Sequence, residues 1–287
     1  MNKNIKDTVL FLAPLILFVS VFMLLPILGT FKISFWQDVS FLPKKFIGLT
    51  NYTTLVEDRE FWYSSLFTII FCLVSVSIEM VLGILVALVI NEKFHGRGII
   101  RAMVLLPWAI PTVIGARIWQ LIYRYEYGLA NYLMDITHGL TFNWLGSSTG
   151  AFISLVIADT WKTTPFISII ILAGLQGIPD EIYEHAKIDG ANILRRFKYI
   201  TLPSLRPVII VALLFRSIDA LRVFDIIYVI TGGGPGGSTT NMSLYSYKYF
   251  LSGDFGYGSA SSIILFFIAF SLSLIYIKVS KFRESVS

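Results

Sequence analysis

The chain has 287 residues, 55% of them hydrophobic and only 14% charged, with a mean hydropathy of +0.73; soluble domains carry about 25% charge, so the composition excludes a water-soluble globule and points to a polytopic membrane protein. A net charge of +5 does not indicate nucleic acid, because the lysines and arginines are spread over short loops rather than gathered with aromatics into a patch. A single cysteine, Cys72, inside an apolar run, and three dispersed histidines, His95, His138 and His185, give no reason to expect an internal disulfide or a metal cluster.

Apolar windows of about 20 residues predict an all-α protein with six spans, at approximately 8–31, 61–91, 102–123, 149–177, 205–231 and 256–278, forming one transmembrane domain over 1–287. The first apolar run is too long for a secretory signal, and Pro26-Ile27-Leu28-Gly29 lacks a small-x-small cleavage pattern, so it is expected to stay as a span. The polar stretch 37–60 then reads either as a short interfacial helix anchored by Phe61-Trp62 or as a docking surface for a partner. Polar points stand inside later spans: Glu79; Arg117, close to Trp119 and Tyr123; and Asp159 and Lys162 on either side of Trp161. Asp159 and Lys162 are three residues apart, a spacing at which they can pair along a helix.

Residues 184–203, EHAKIDGANILRRFKYITLP, form a charged island between two apolar stretches. Charges of this density cost several kcal/mol each to bury unpaired in lipid, so the island, within a loop of about 178–204, belongs in water. Pro179 is placed to open a helix with Ile182, Tyr183 and Ala186 on one face, and Gly190 to end it in a left-handed cap. A second amphipathic run starts at Ala191 and carries Ile193, Leu194, Phe197 and Ile200; Pro203 and Pro207 are expected to stop it before the next span. Two short helices joined at a glycine make a low knob suited to a cleft in a partner.

In the fifth span, LFRSIDALRVFDIIYVI, Arg216, Asp219, Arg222 and Asp225 recur every three residues with alternating sign, a ladder able to pair along a helix. Intramembrane charges face a bundle interior or a wet cavity and often mark a transport path. The cluster Gly232–Gly237 (GGGPGG) reads as a turn that ends this span, as an external contact or gate, or as both. If the N-terminus is cytoplasmic, thirteen lysines and arginines fall on the cytoplasmic side and six on the other. The bias places both termini and the 184–203 loop in the cytoplasm.

Glu184, Ala186, Gly190, Ile200, Leu202 and Pro203 stand at the spacing E-x-A-x3-G-x9-I-x-L-P, which resembles the coupling-loop motif of the membrane subunits of bacterial ABC importers; His185 replaces the usual alanine. The segments IGLTNYTTLVEDREFW, LLPWAIPTVIGARIWQ, DTWKTTPF, LAGLQGIPDEIYEHAKIDGA and FDIIYVITGGGPGGST extend the resemblance along nearly the whole chain, to the first of two paired permeases of the disaccharide and glycerol-phosphate type. The resemblance implies a non-catalytic permease subunit in a bacterial cytoplasmic membrane, forming half of the path of an ATP-driven sugar importer. Its implied partners are a second permease, two ATPase subunits and an external sugar-binding protein.

No cofactor is expected on this chain. ATP and Mg belong to the ATPase, and GGGPGGST lacks the lysine of a phosphate loop. Glu184, His185, Ala186, Asp189, Gly190, Leu202 and Pro203 are the implied ATPase-coupling residues. Asp219, Arg222 and Phe224 come first for the substrate path, with Tyr228, Trp119, Tyr123 and Trp161 as aromatic faces for a pyranose. Arg117 departs from the family pattern and marks either selectivity or a snorkelling side chain. The ladder can equally satisfy itself or bridge to the second permease, and Asp225 is read as structural at that seam. The alternative function is an ion-coupled secondary transporter, which would be expected to show more spans and internal repeats; an intramembrane enzyme would need a grouped nucleophile and base or an H-E-x-x-H motif, neither of which occurs.

Overall fold

The computed structural model describes residues 3–284; the extreme ends, expected to be cytoplasmic, lie outside the described residues. Two units divide the chain: 1–62 with 245–267, and 63–244 with 268–287. In chain order the helices are α1 (Lys3–Val19), α2 (Leu25–Ile33), α3 (Thr50–Glu57), α4 (Arg59–Asn91), α5 (Arg97–Ala109), α6 (Thr112–Ile122), α7 (Leu129–His138), α8 (Ser148–Gln176), α9 (Asp180–Ile188), α10 (Ile193–Arg196), α11 (Leu202–Leu221), α12 (Asp225–Ile230), α13 (Met242–Ser252) and α14 (Phe255–Glu284). A two-stranded antiparallel hairpin, β1 (Trp36–Gln37) and β2 (Lys45–Phe46), pairs Trp36 with Phe46.

In the first unit, a π-turn at Ser20–Leu24 joins α1 to α2, and the apolar stretch Phe11–Ile33 has no fully buried residue in its most apolar window. The polar stretch 37–60 is more than the expected interfacial helix, since the hairpin and α3 are stapled together. Asn51 Nδ2 donates to the carbonyls of Ser34 (2.8 Å) and Trp36 (3.0 Å), and the Ser34 and Tyr52 hydroxyls meet at 2.7 Å. Asp58, between α3 and α4, accepts the hydroxyls of Tyr245 and of Tyr257 (3.1 Å). Burial would raise the Asp58 carboxyl, but these hydroxyls and the Glu60 amide outweigh it and hold it below its usual range. Thr54, Glu57, Asp58, Tyr249, Asp254 and Tyr257 line a cavity of about 440 Å³ beside this staple.

The core of the second unit runs along α4, α8 and α11 through Met80, Ala87, Ile167, Ile171, Leu205 and Ala212. Small residues set the helix spacing: a Cβ on Gly83 would lie 2.9 Å from Ile167 Cβ, and one on Gly174 2.8 Å from a Val208 methyl. This is the close backbone approach that membrane helices use in place of a hydrophobic driving force.

Among the described residues, four helical stretches are long and apolar enough to cross a membrane, at Phe11–Ile33, Arg59–Asn91, Ser148–Gln176 and Phe255–Val279; α5 and α6, bent by 89° at their junction, give a fifth when counted together. The remaining predicted span, 205–231, is not one helix. α11 carries Arg206, Arg216 and Asp219 and ends at Leu221, and the chain is non-helical to Phe224 before α12 begins. Asn241 fills this break, donating to the Val223 carbonyl and accepting the Leu244 amide (3.0 Å). Nor do Pro203 and Pro207 stop the preceding helix. A π-turn at Phe197–Thr201 carries α10 directly into α11, with the Leu202 amide bonded to the Phe197 carbonyl, and Pro203 sits in the first turn of α11, where its missing N–H costs least. The glycine cluster forms turns with positive φ at Gly232, Gly233, Gly236 and Gly237, tied by Thr239 Oγ1 to the Gly234 carbonyl at 2.7 Å.

Candidate coupling surface and substrate path

The 184–203 island takes the helix–glycine–helix form expected from its sequence. Pro179 caps α9, Gly190 adopts φ +76°, and Ala191 N–H closes the cap on the Ala186 carbonyl at 2.9 Å. Asn192 Oδ1 then accepts the Arg195 amide at 2.8 Å and opens α10. Tyr183 OH reaches Thr201 Oγ1 at 2.9 Å, tying α9 back to the π-turn. Lys93, just beyond α4, pairs with Asp180 at 2.8 Å, and its hydrogen bond and charge hold the Asp180 carboxyl below its usual range.

Glu184, His185, Asp189 and Gly190 are exposed, and Ala186, Leu202 and Pro203 are half-buried. Ile188, Ile193 and Leu194 are exposed at 82%, 78% and 73%. A Cβ on Gly190 would meet nothing within 4 Å, so the knob has open space over its glycine.

The charged residues of the fifth stretch do not form one ladder. Arg216, 1% exposed, turns inward and bridges two helices: Nε and Nη2 grip Glu79 of α4, the latter at 2.9 Å, and Nη2 also reaches Asp159 of α8 at 2.5 Å. Asp219 lies 3.6 Å from Arg216 and 3.3 Å from Arg222; both Asp219 and Arg222 are exposed. Asp225 stands beyond the helix break and, among the described residues, has no ion pair with Arg222. Asp159 therefore pairs with Arg216 and not with Lys162.

Lys162 instead turns to the α5–α6 bend, donating to the carbonyls of Pro107 (3.1 Å), Trp108 (2.8 Å) and Ile110. Neither Arg216 as a bracket nor Lys162 as a cap stood out in the sequence. Arg216 could be seen only as one rung of a local spacing, and Lys162 only as a charge near an acid.

The predicted path residues fall into three local groups. Trp119 stacks on Tyr123 (5.4 Å) and meets Trp161 edge-on (5.7 Å). Trp144 and Phe142, which the sequence did not single out, extend this group, with Trp144 5.7 Å from Tyr123 and 5.2 Å from Phe142. Phe224 and Tyr228 stack at 5.2 Å, and Asp219 and Arg222 form the third group. Gln120 joins α6 to α12, donating to the Val229 carbonyl at 2.8 Å, and Arg117 donates to Gln120 Oε1 at 2.7 Å. Chemically, the groups offer ring faces and exchangeable hydrogen bonds of the kind that hold polyols.

A multi-helix membrane scaffold with a solvated helix–glycine–helix knob and polar groups at membrane depth defines a transport permease. Residues 79–280 match the family described as binding-protein-dependent transport system inner membrane component, and the chain belongs to this family. It is 54% identical to the trehalose/maltose transport system permease protein MalF of Thermococcus litoralis, over 98% of this chain and 96% of that one. It is 38% identical to the sulfoquinovosyl glycerol transport system permease protein SmoG of Agrobacterium fabrum, over 96% and 91%. Among solved structures, it resembles a chain of a bacterial ABC transporter involved in the import of the acidic polysaccharide alginate, with a TM-score of 0.85, 26% identity and 97% of both chains covered.

Proposed function

We propose that the protein is the permease subunit of an ATP-driven sugar importer, forming half of the path by which a disaccharide or small oligosaccharide passes from an external binding protein into the cytoplasm. The chain performs no covalent chemistry. It works with a second permease and two ATPase subunits that carry ATP and Mg, and its termini and the 184–203 loop lie in the cytoplasm. The observation that carries this reading is the exposed knob around Gly190, with apolar side chains at Ile188, Ile193 and Leu194 left uncovered by the chain itself. The near-full-length similarity to a trehalose/maltose permease supports the substrate class. Glu184 pairs with a basic residue of the ATPase groove, Gly190 allows close approach, and closure of the ATPase dimer on ATP moves the knob with α11 and switches the path between outward and inward states.

Purification of the chain from native membrane with identification of its companions tests the reading, together with Gly190→Asp. An aspartate at this positive φ is strained and places a carboxylate in the contact. It is expected to lower uptake per ATP hydrolysed by roughly tenfold or more while the chain still inserts. Recovery of the chain without an ATPase, or normal uptake by Gly190→Asp, would favour the alternative, an ion-coupled transporter.

A further inference from the structure

We infer that Lys162 is a positioning residue for transport: its ammonium caps the α5–α6 bend and so fixes α6 beside α8 and α12, where Arg117, Trp119 and Tyr123 stand. The inference rests on the reading of α6 as part of the sugar path and deepens it.

The bend is written in the sequence LLPWAIPT. Pro111 has no N–H to give the Pro107 carbonyl, and Ile110, which precedes it, is driven out of the helical region to φ −67°, ψ 133°. Continuation of the helix would have bonded Thr112 N–H to Trp108 O and Ile114 N–H to Ile110 O, but α6 restarts at an angle of 89° and Ile114 N–H turns to the Pro111 carbonyl. The Pro107, Trp108 and Ile110 carbonyls around the end of α5 thus lose their helical donors and need others.

A lysine ammonium has three donors and no acceptor, and Lys162 directs them at the carbonyls of Pro107, Trp108 and Ile110. The cation also sits at the negative end of the α5 dipole, which offsets its burial. Lys162 is buried, and no acid pairs with it among the described residues: Asp159, the nearest candidate by sequence, is held by Arg216.

The adjacent residue completes the clamp. Trp161 contacts Trp119 of α6 edge-on at 5.7 Å, and Gly115 gives the room: a Cβ there would touch Trp161 Cζ3 at 3.6 Å. A consecutive pair on α8 therefore acts on α6 at two points, Lys162 at the bend that precedes it and Trp161 along its length. Gln120 supplies the third, on α12. Among the described residues no other side chain donates to the Pro107, Trp108 or Ile110 carbonyls, so loss of the ammonium removes the side-chain donor of all three.

The test uses the complete transporter with its partner subunits in proteoliposomes and radiolabelled trehalose as the probe. Lys162→Met keeps the length of the side chain and removes its donors. Uptake per ATP hydrolysed is expected to fall roughly tenfold, the scale of one unsatisfied buried polar group, with assembly and ATP hydrolysis retained. The modification rate of a cysteine at Arg117, in a Cys72→Ala background, is expected to change by a similar factor. Lys162→Arg, which still donates to carbonyls, is expected to restore most of both.

Wild-type uptake and an unchanged modification rate in Lys162→Met would overturn the inference. If Lys162→Met does not assemble, Lys162→Gln takes its place: a smaller shift in both readouts supports the inference, and wild-type values overturn it. Trp119→Ala and Arg117→Ala separate the two levels. Normal uptake and selectivity between trehalose and maltose in both variants sinks the path reading of α6; altered uptake in them with a normal Lys162→Met sinks only the role of Lys162.

Discussion

Arg216 concentrates the electrostatics of the second unit in a single side chain. One guanidinium faces Glu79 and Asp159, both buried, with half-exposed Asp219 on its outer side, so removing the cation strands two carboxylates in low dielectric. Arg216→Met is expected to destabilise the detergent-solubilised protein by about 3–5 kcal/mol, seen as a lower thermal midpoint and a lower yield in the membrane. Arg216→Lys should recover only part, because a point ammonium cannot reproduce the fork that meets Glu79 through two nitrogens. An unchanged midpoint in Arg216→Met would show that the bracket holds nothing. The sequence made the charges of this cluster legible but only part of their pairing. Local spacing foresaw Arg216–Asp219 and Asp219–Arg222, which form, but it also joined Asp159 to Lys162 and Arg222 to Asp225, and it missed the pairs that bring Arg216 to residues 137 and 57 positions away. Periodicity along a helix carries no information about which face of another helix it meets.

At the scale of the element, the knob was legible because its signals are local: Pro179 and Gly190 each act on their own few residues, although Asn192, which opens α10, was not singled out. The behaviour of Pro203 was not, because a π-turn upstream changed which carbonyls needed donors, and a proline that ends a helix in one register is accommodated in another. The same distinction applies to the fifth stretch. Its apolar character was visible, yet the break at 222–224 depends on Asn241, a buried partner in a later segment. The knob's own order is testable. Asn192→Ala removes the acceptor of the Arg195 amide and is expected to cost about 1 kcal/mol of helix stability, which amounts to roughly fivefold faster amide exchange across Ile193–Arg196. Exchange in the body of α11 should stay unchanged; equal acceleration there would mean that α10 and α11 open as one unit.

For the whole molecule, the open quantity is the number of crossings, and it turns on the α11–α12 stretch. The four long apolar stretches and the bent α5–α6 pair make five, an odd number that would put the two ends on opposite sides. The proposed cytoplasmic termini need a sixth crossing, supplied by a stretch that carries Arg206, Arg216 and Asp219 and is interrupted before α12. Such a crossing is physically admissible because Arg216 is buried and paired with Glu79 and Asp159 inside the protein, and because the broken backbone is repaired by Asn241 rather than left to lipid. Single cysteines in a Cys72→Ala background, treated with a membrane-impermeant maleimide, decide the matter. Positions Asn4, Lys187 and Ser280 are expected to react only after permeabilisation, and Lys45 and Ser238 in intact cells. Reaction at Ser280 in intact cells, with Asn4 still protected, would mean that α11 enters and leaves by the same face. The Gly232–Gly237 turn would then stand on the knob's side of the membrane, where a contact with an external binding protein is impossible.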